Sequence, residues 1–238
     1  MTAPQPRVFL LDVEGTVAPI SLVSEHLFPY ARAHFFAFVQ EKKADPVVVA
    51  DLHLLAEENG AETDETVPKI ANAGETGQVI AYLNGLMDRD RKSTALKSLQ
   101  GKIWKTGFES GELKGILFAD VPAALRRWSA KASVAIYSSG SVEAQRLVFR
   151  HSSFGDLTGL IAAYFDTRTG PKQASASYAA IAAAMNVEPG EVLFFSDAVQ
   201  ELDAAREAGC QTRLVVRPGN APVEDAHGHT LVESFALL

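Results

Sequence analysis

The fold is decided by the stretch Val8-Phe9-Leu10-Leu11-Asp12-Val13-Glu14-Gly15-Thr16, in which four apolar residues run directly into two carboxylates, a glycine and a threonine. A short apolar run without polar alternation is typical of a strand buried on both faces of a parallel α/β sheet. Ligands of such sheets collect beyond the carboxyl ends of the strands, and side chains two positions apart point the same way. We therefore expect Asp12 and Glu14 to face one site, with a plain surface turn as the alternative.

Composition and charge restrict the class of protein and its partners. Apolar residues make up 47% and charged residues 21% of the 238-residue chain, and the formal net charge is −7 at pH 7. These values indicate a globular protein with one large domain, or a core domain with an insert. The negative charge argues against nucleic acid and against an anionic membrane as partners. No segment approaches the roughly 20 apolar residues of a membrane span, and residues 1–6 lack the apolar core of a signal peptide.

The cysteine and the histidines are predicted to have no chemical role. Cys210 is the only cysteine, so the chain can form no internal disulfide and fits a reducing cytoplasm; we predict a small buried apolar residue rather than a nucleophile. His227 and His229 have a spacing that could bind a metal, but in a glycine-rich tail we predict an incidental exposed pair. His26 and His34 are predicted to pack or to face solvent.

Helical periodicity without strands predicts an all-helical insert after the first strand. Apolar residues recur at helical spacing over residues 21–43, where Pro29 should kink or divide the helix. Three further helices are predicted at 47–58, 78–87 and 94–104. We therefore expect a helical cap domain over residues 19–115, inserted into a catalytic core that is formed by residues 1–18 and 116–238.

The rest of the chain alternates between strands and helices. Strands are predicted at 133–137, 160–165, 192–195 and 213–216, and helices at 142–151, 175–186 and 199–208. Such alternation is typical of right-handed β-α-β units and of a parallel sheet that the first strand joins. The predicted fold class is α/β, a doubly wound parallel sheet with an inserted all-helical cap.

Two further loops after predicted strands carry groups that suit an anion. Residues 138–141, Ser-Ser-Gly-Ser, precede a helix, and free main-chain N–H groups with hydroxyl donors form an anion cradle there, although Ser141 could be only an N-cap. The loop 166–172 delivers Lys172 to the start of the next helix. A bound anion would explain a cation that otherwise opposes the helix dipole, and the alternative is a lysine that points into water.

A second strand-end aspartate completes the pattern. Asp197 follows a buried strand, and Glu201 lies one helical turn later. Asp12 and Asp197 at one edge of a sheet would repel each other unless a cation lies between them, and hard oxygen ligands suit Mg²⁺. A carboxylate that attacks a phosphate dianion needs such neutralisation, together with donors that hold the phosphate in line. The four loops together predict a phosphoryl-transfer site.

These residues resemble the four motifs of the haloacid dehalogenase-like (HAD-like) phosphohydrolases. The resemblance implies that Asp12 is the nucleophile and that Glu14 is the acid-base residue, at a position where the superfamily usually has an aspartate. Lys172 matches the catalytic lysine. The other implied site residues are the substrate-binding Ser138, Ser139 and Lys172, the metal ligand Asp197 and its helper acid Glu201.

Longer tracts resemble the enolase-phosphatase (acireductone synthase) family of methionine salvage. The tracts are residues 12–16, 111–115, 137–149, 170–172 and 195–197 with 201–202, and the resemblance covers nearly the whole chain. It implies one Mg²⁺ held by the Asp12 carboxylate, the Glu14 main-chain carbonyl and Asp197. Phe108 and Phe118 stand where we expect tyrosines in this family. If the tyrosine hydroxyls contact substrate, their absence here would change the affinity for substrate rather than the type of reaction.

The family resemblance also implies a substrate and a setting. Two consecutive reactions would act on a small phosphate ester, 2,3-diketo-5-methylthiopentyl-1-phosphate: enolisation first, then hydrolysis of the phosphate. The cap would exclude water and contact the thioether tail. We expect a cytoplasmic monomer, and we hypothesise that Glu14 takes the enolisation proton.

Four alternative functions follow from the same motifs. The nearest is a generic HAD-like phosphatase that acts on another small phosphometabolite and forms no enol. A dehalogenase is disfavoured because that chemistry uses no Mg²⁺ and no acid two residues after the nucleophile. An aspartyl-phosphate ATPase is disfavoured because those proteins carry threonine at that position and need membrane spans. A non-catalytic phosphometabolite-binding module is disfavoured because the nucleophile, acid, lysine and metal acid are all intact.

Overall fold

The computed structural model describes residues 4–72, 75–89 and 91–236. The chain divides into two compact units, one of Met1–Val23 with Lys114–Leu238 and one of Ser24–Leu113. We call them the sheet unit and the helical unit. The assignment of a catalytic core and a cap, with boundaries at residues 18 and 116, stays a prediction.

The described residues of the helical unit form four α-helices, and each overlaps a segment predicted to be helical. They are α1 (Phe28–Lys42), α2 (Pro46–Gly60), α3 (Thr76–Asp88) and α4 (Thr94–Ser110). A π-helical segment, Leu22–Leu27, precedes α1, so the predicted division occurs just before Pro29. Helix α4 continues six residues beyond its predicted end, because its buried stripe extends to Phe108. It stops where Gly111 adopts φ of 81°.

Within the described residues, the sheet unit is built on six parallel strands. They are β1 (Val8–Leu11), β2 (Ser133–Tyr137), β3 (Ala163–Phe165), β4 (Val192–Ser196), β5 (Gln211–Val215) and β6 (Thr230–Val232). The strand order is β3-β2-β1-β4-β5-β6, and all five neighbouring pairs are parallel. The order reverses beside β1, which places the ligand crevice of such a fold at the carboxyl end of that strand. The predicted α/β fold class with a parallel sheet is confirmed.

Helices cover both faces of the central strand. They are α5 (Val121–Ser129), α6 (Val142–Arg150), α7 (Ser175–Ala184) and α8 (Val199–Glu207). Leu10 belongs to the buried cluster formed with α7 and α8, whereas the ring of Phe9 stacks on Trp128 of α5 at a centroid distance of 4.9 Å. Because successive side chains of β1 point to opposite faces, burying both faces requires the continuous apolar run of this strand.

The structure corrects the prediction at three places in the sheet unit. Helix α5 was not predicted, and β3 is shorter than expected because a 3₁₀ turn, Thr158–Leu160, occupies the start of the predicted strand. Strand β6 lies in the segment that we assigned to an irregular tail. None of the described helices has the length and apolar character needed to cross a membrane.

The predicted exposure of the histidine pair is wrong for His229. This residue is buried, with Nε2 3.1 Å from Asp203 Oδ1 and Nδ1 2.7 Å from Thr212 Oγ1, while His227 is exposed. His229 is buried because it directly precedes β6, which pairs with β5. In the described part of the chain, no group of three or more His, Cys, Asp or Glu side chains is arranged to hold a metal. The predicted burial of Cys210 is confirmed, and burial raises the pKa of its thiol to about 11.

Candidate active site

The strand register brings the predicted loops to one edge of the sheet. The last residue of β1 is in register with the penultimate residues of both β2 and β4. Asp12 therefore lies level with the last residues of the neighbouring strands, and Ser138 and Asp197 follow one position further on. Three polar side chains from distant parts of the sequence thus end adjacent strands at the crevice that the reversed strand order creates.

Lys172 contacts two carboxylates at this edge. Its Nζ lies 2.6 Å from Asp12 Oδ1 and 2.6 Å from Glu201 Oε2. Lys172 is only 8% exposed and Asp12 only 6%, so the alternative of a lysine that points into water is wrong. Glu201 Oε2 also accepts a hydrogen bond of 2.9 Å from Ser196 Oγ. Charge-assisted contacts in such a shielded place are shorter and stronger than neutral ones.

The carboxylates that contact Lys172 keep its ammonium group protonated. Burial would lower the pKa of the Lys172 ammonium, but the carboxylates of Asp12 and Glu201 outweigh this effect and raise the pKa above its ordinary value. The side chain therefore stays protonated at neutral pH. Lys172 supplies a fixed positive charge beside Asp12 Oδ1 rather than a mobile proton.

Three hydroxyl groups hold the loop that presents this lysine. The consecutive carbonyl oxygens of Gly170, Pro171 and Lys172 each accept one hydrogen bond. In order, the donors are the hydroxyls of Tyr137 at 2.9 Å, Ser177 at 2.8 Å and Tyr178 at 2.7 Å. We call these three residues the hydroxyl clamp. Sequence reasoning missed them, because it treated all three only as strand or helix positions.

The carboxylate of Asp197 lies against the main chain of the loop after β1. Gly15 has φ of 71°, and a Cβ atom added there would lie 2.1 Å from Asp197 Oδ2. Only glycine therefore permits this approach. Burial, followed by the negative charges of Asp12 and Glu201, raises the pKa of Asp197 to about 7.

The pKa of Glu14, the second predicted carboxylate of the β1 loop, is also raised. Burial is the largest cause and the charge of Asp12 the next, and together they raise the pKa of Glu14 to about 6 although Lys172 lowers it. A carboxyl group with a pKa near 6 is partly protonated close to neutral pH. It can therefore give up and take back a proton, which is the behaviour required of a general acid and base.

The oxygen groups at this edge of the sheet suit a hard divalent cation in their chemistry. The described side chains alone form no group of three that is arranged to hold a metal, so a cation here would need main-chain oxygen as well as the carboxylates. The carboxylates of Asp12, Glu14, Asp197 and Glu201 interact electrostatically with one ammonium, that of Lys172. Burial first, and the negative charge of Asp12 second, raise the pKa values of Glu14, Asp197 and Glu201. Oxygen ligands with surplus negative charge are what Mg²⁺ and Ca²⁺ bind in proteins.

The loop after β2 carries one buried and one exposed serine. Ser138 is buried, and its Oγ accepts a hydrogen bond of 3.2 Å from the Gly140 main-chain N–H. Ser139 is exposed. Ser141 caps α6, since its Oγ accepts a hydrogen bond of 3.2 Å from Ala144 N–H, so the N-cap alternative for this serine is confirmed.

The segment after β5 donates hydrogen bonds to main-chain carbonyls of the β1 loop. Asn220 Nδ2 donates to the Gly15 carbonyl at 2.9 Å, and Arg217 Nε donates to the Thr16 carbonyl at 3.2 Å. Sequence reasoning missed both residues. The available signal was the Pro-Gly-Asn turn at 218–220, which begins two residues after the predicted strand 213–216.

Comparison with known proteins identifies the family. A model described as haloacid dehalogenase-like hydrolase matches residues 6–209. Enolase-phosphatase E1 of Synechococcus elongatus is 53% identical over 216 residues, 90% of each chain, and that of Sorangium cellulosum is 45% identical over 236 residues, 99% of this chain and 98% of the relative. The chain belongs to the enolase-phosphatase family of HAD-like hydrolases. The predicted family and enzyme class are thereby confirmed.

Solved structures agree with this family assignment. The crystal structure of the UTR4 protein of Saccharomyces cerevisiae superposes on this chain with a TM-score of 0.81. The two sequences are 38% identical, and the match covers 98% of this chain and 100% of the yeast chain. A dehalogenase structure has a TM-score of 0.55 at 18% identity, which shows the shared fold alone.

The two phenylalanines that replace expected tyrosines pack against protein groups. Phe108 is 2% exposed within the helical unit. The ring of Phe118 in the sheet unit lies 4.6 Å from the guanidinium carbon of Arg217, within the range of a cation–π contact. In this member of the enolase-phosphatase family, both rings therefore contribute packing.

Proposed function

We propose that this chain converts 2,3-diketo-5-methylthiopentyl-1-phosphate, through its enol phosphate, to the acireductone 1,2-dihydroxy-3-keto-5-methylthiopentene and phosphate in methionine salvage. The observation that carries the proposal is the Lys172 ammonium, which contacts Asp12 and Glu201 at the carboxyl end of β1. Membership of the enolase-phosphatase family supports the choice of substrate.

Hydrolysis of the phosphate would proceed through an aspartyl-phosphate. The Asp12 carboxylate attacks phosphorus, and the bond to the substrate oxygen breaks as Glu14 donates a proton to that oxygen. Glu14 then takes a proton from water, whose oxygen attacks the same phosphorus and releases Asp12 and phosphate. The pKa of about 6 supports both roles of Glu14. Lys172, Ser138 and Ser139 would hold the phosphate oxygens during both displacements.

The proposed cofactor is Mg²⁺. The residues that would hold it are Asp12 and Asp197, through their carboxylates, and Glu14, through its main-chain carbonyl. When bound, Mg²⁺ neutralises charge on the phosphoryl group that is transferred. Glu201 would act from outside this ligand set by keeping the Lys172 ammonium beside Asp12, as its 2.6 Å contact supports.

Enolisation requires a base before the phosphate is lost, and we propose Glu14 for this step. Glu14 lies in the same loop as Asp12, and its raised pKa suits proton transfer near neutral pH. A Glu14→Gln protein should lose both enol formation and phosphate release. Enolisation at the normal rate by this variant would remove Glu14 from the first step.

The proposed enzyme works as a cytoplasmic monomer on a small phosphate ester. The proposed nucleophile, acid-base residue, lysine and metal acid all lie in one chain, so the proposed chemistry requires no residue from a second copy. Size-exclusion chromatography with light scattering should give the mass of one chain, 25.6 kDa. A stable dimer at micromolar concentration would contradict this part of the proposal.

The deciding experiment incubates purified protein with the diketo phosphate and Mg²⁺ and follows ultraviolet absorbance of the enol together with released phosphate. Both signals are expected from the wild type, and Asp12→Asn should abolish phosphate release. The matched control is Asp156→Asn, a similar change in an exposed turn, which should leave both signals intact. A generic phosphatase would release phosphate from common phosphoesters without enol absorbance, and absence of both signals in the wild type would overturn the proposal.

A further inference from the structure

Within the described residues, the amide nitrogen of Asn220 is hydrogen-bonded, whereas its amide oxygen is not. Its Nδ2 donates to the carbonyls of Gly15 at 2.9 Å and Val215 at 3.4 Å. Its Oδ1 is buried and has no hydrogen-bond partner in the described part of the chain. Two carbonyl acceptors determine the orientation of the amide, because a flipped amide would point its oxygen at both of them. A buried amide oxygen without a donor is unfavourable, so a donor from outside the chain is the natural partner.

The unsatisfied oxygen borders the carboxylate of Asp197. A Cβ atom built on Gly15 would lie 2.1 Å from Asp197 Oδ2 and 3.1 Å from Asn220 Oδ1. Both oxygens therefore flank the same point beside the β1 loop. Both are hydrogen-bond acceptors when Asp197 is ionised, so neither satisfies the other. A water molecule bound to a cation has two strongly polarised O–H groups and matches this arrangement.

We propose that Asn220 is a positioning residue of the cation site. Its Nδ2 holds the Gly15 carbonyl, and its Oδ1 accepts a hydrogen bond from a water molecule on the cation that Asp197 binds. The inference rests on the proposed function, because that function includes Mg²⁺ at Asp12 and Asp197. It goes beyond that function by assigning the hydration of the cation to a residue that carries no charge.

An amide suits this position better than a carboxylate. A carboxylate at residue 220 could not donate to the Gly15 carbonyl, and it would add negative charge beside the Asp197 carboxylate. The β1 loop keeps a second support, since Arg217 Nε donates to the Thr16 carbonyl at 3.2 Å. Removing the Asn220 amide should therefore leave the loop in place and affect mainly the cation.

The test measures binding of Mg²⁺ to the full chain by isothermal titration calorimetry. Loss of an outer partner of a metal site usually costs 10- to 100-fold in affinity, so Asn220→Ala should bind Mg²⁺ about 10- to 100-fold more weakly than the wild type. The matched control is Gln211→Ala. The Gln211 amide also donates to two carbonyls, those of Pro4 and Gly190 at 2.8 Å each, and its loss should leave Mg²⁺ affinity unchanged.

A second measurement addresses the water molecule itself. With Mn²⁺ in place of Mg²⁺, water-proton relaxation should show faster exchange of bound water in Asn220→Ala than in the wild type or in Gln211→Ala. Asn220→Ser replaces the alanine variant if circular dichroism shows that the latter does not fold. Mg²⁺ affinity within threefold of the wild type, or unchanged water exchange, would overturn the inference.

The outcome separates the two proposals. If only the role of Asn220 is wrong, the wild type still binds Mg²⁺ and turns over the diketo phosphate, while Asn220→Ala behaves like Gln211→Ala. If the wild type itself binds no Mg²⁺, both the inference and the metal part of the proposed function are overturned.

Discussion

The Nζ atom of Lys172 lies 2.6 Å from Oδ1 of Asp12, although 160 positions separate the two residues in the sequence. Asp12 directly follows the central strand β1, and Lys172 lies in the loop between β3 and α7. The same nitrogen contacts Glu201, so one buried ammonium compensates the buried carboxylate of Asp12 and the partly buried carboxylate of Glu201. Both the proposed chemistry and the stability of this edge of the sheet therefore depend on Lys172.

Replacing Lys172 by methionine keeps most of the side-chain volume and removes the charge. Loss of one stabilising donor for transition-state charge typically costs 10²- to 10³-fold, so kcat for phosphate release should fall by about that factor. Breaking a buried ion pair should also lower the free energy of unfolding by about 3–5 kcal/mol. Single-turnover phosphate release and urea unfolding measure the two effects.

The control for this variant is Lys102→Met. Lys102 also forms an ion pair, with Asp51 at 2.5 Å, but it lies in the helical unit and is more exposed. We expect its kcat to stay within twofold of the wild type. A Lys172→Met protein with wild-type kcat would remove the lysine from the proposed mechanism.

Gly15→Ala tests the close approach of Asp197 to the β1 loop. The variant should lose stability, because residue 15 has φ of 71°, and should also displace the Asp197 carboxylate, because the new Cβ would lie 2.1 Å from Oδ2. We expect Mg²⁺ affinity to fall about tenfold or more, as measured by calorimetry.

Gly155→Ala separates the loss of stability from the displacement of the Asp197 carboxylate. Gly155 has φ of 88°, but an added Cβ would meet no atom within 4 Å. Both variants should lose about 1–2 kcal/mol of folding stability, because alanine disfavours the left-handed conformation. Only Gly15→Ala should lose Mg²⁺ affinity. Equal Mg²⁺ affinity in the two variants would mean that Asp197 does not need its position against Gly15.

Local sequence signals predicted the parts of the site that end buried strands. Continuous apolar runs predicted β1 and β4, and the polar residues that follow them, Asp12 and Asp197, were found because ligand crevices lie at strand ends. The loop that carries Lys172 was found because a cation before a helix is unusual. Each of these signals lies within a few consecutive residues, which is why a single sequence contained them.

Interactions between distant segments were not predictable in the same way. Strand β6 has only three residues, and its place in the sheet depends on pairing with β5 rather than on its own composition. The burial of His229 follows from that pairing and from Asp203 on α8. The hydroxyl clamp acts on main-chain carbonyls, and contacts of this kind leave no trace in the sequence.

Tyr178→Phe tests the hydroxyl clamp. The Tyr178 hydroxyl donates to the Lys172 carbonyl at 2.7 Å, so its loss leaves a buried acceptor unpaired and should lower the free energy of unfolding by about 1–3 kcal/mol. The lysine should also be held less firmly, and we expect kcat for phosphate release to fall about tenfold with little change in KM.

Tyr164→Phe is the matched control, since the Tyr164 hydroxyl is buried but has no hydrogen-bond partner in the described structure. Removing that hydroxyl should be neutral or stabilising and should leave kcat unchanged. If Tyr178→Phe has the same kcat as Tyr164→Phe, the clamp does not position the catalytic lysine.

The last prediction concerns pH and the carboxylate of Asp120. Its Oδ2 accepts hydrogen bonds from Arg217 Nη1 at 2.9 Å, Ser234 Oγ at 3.0 Å and Phe235 N–H at 2.6 Å. Burial would raise the pKa of Asp120, but the Arg217 and Phe235 hydrogen bonds outweigh it and hold the pKa below its ordinary value. The stability that this carboxylate contributes is therefore present above the pKa of the unfolded chain, about 4, and is lost as pH falls through the lower folded value.

We expect the free energy of unfolding of the wild type, measured with urea between pH 2 and 7, to fall more steeply below about pH 4 than that of Asp120→Asn. At pH 7 the variant should be less stable than the wild type, because the amide loses the charge-assisted bond to Arg217. Asp88→Asn provides the comparison: Asp88 pairs with Arg32 at an exposed position, where solvent weakens the pair, and this variant should keep the wild-type slope. Equal slopes for Asp120→Asn and the wild type would show that Asp120 does not contribute to acid unfolding.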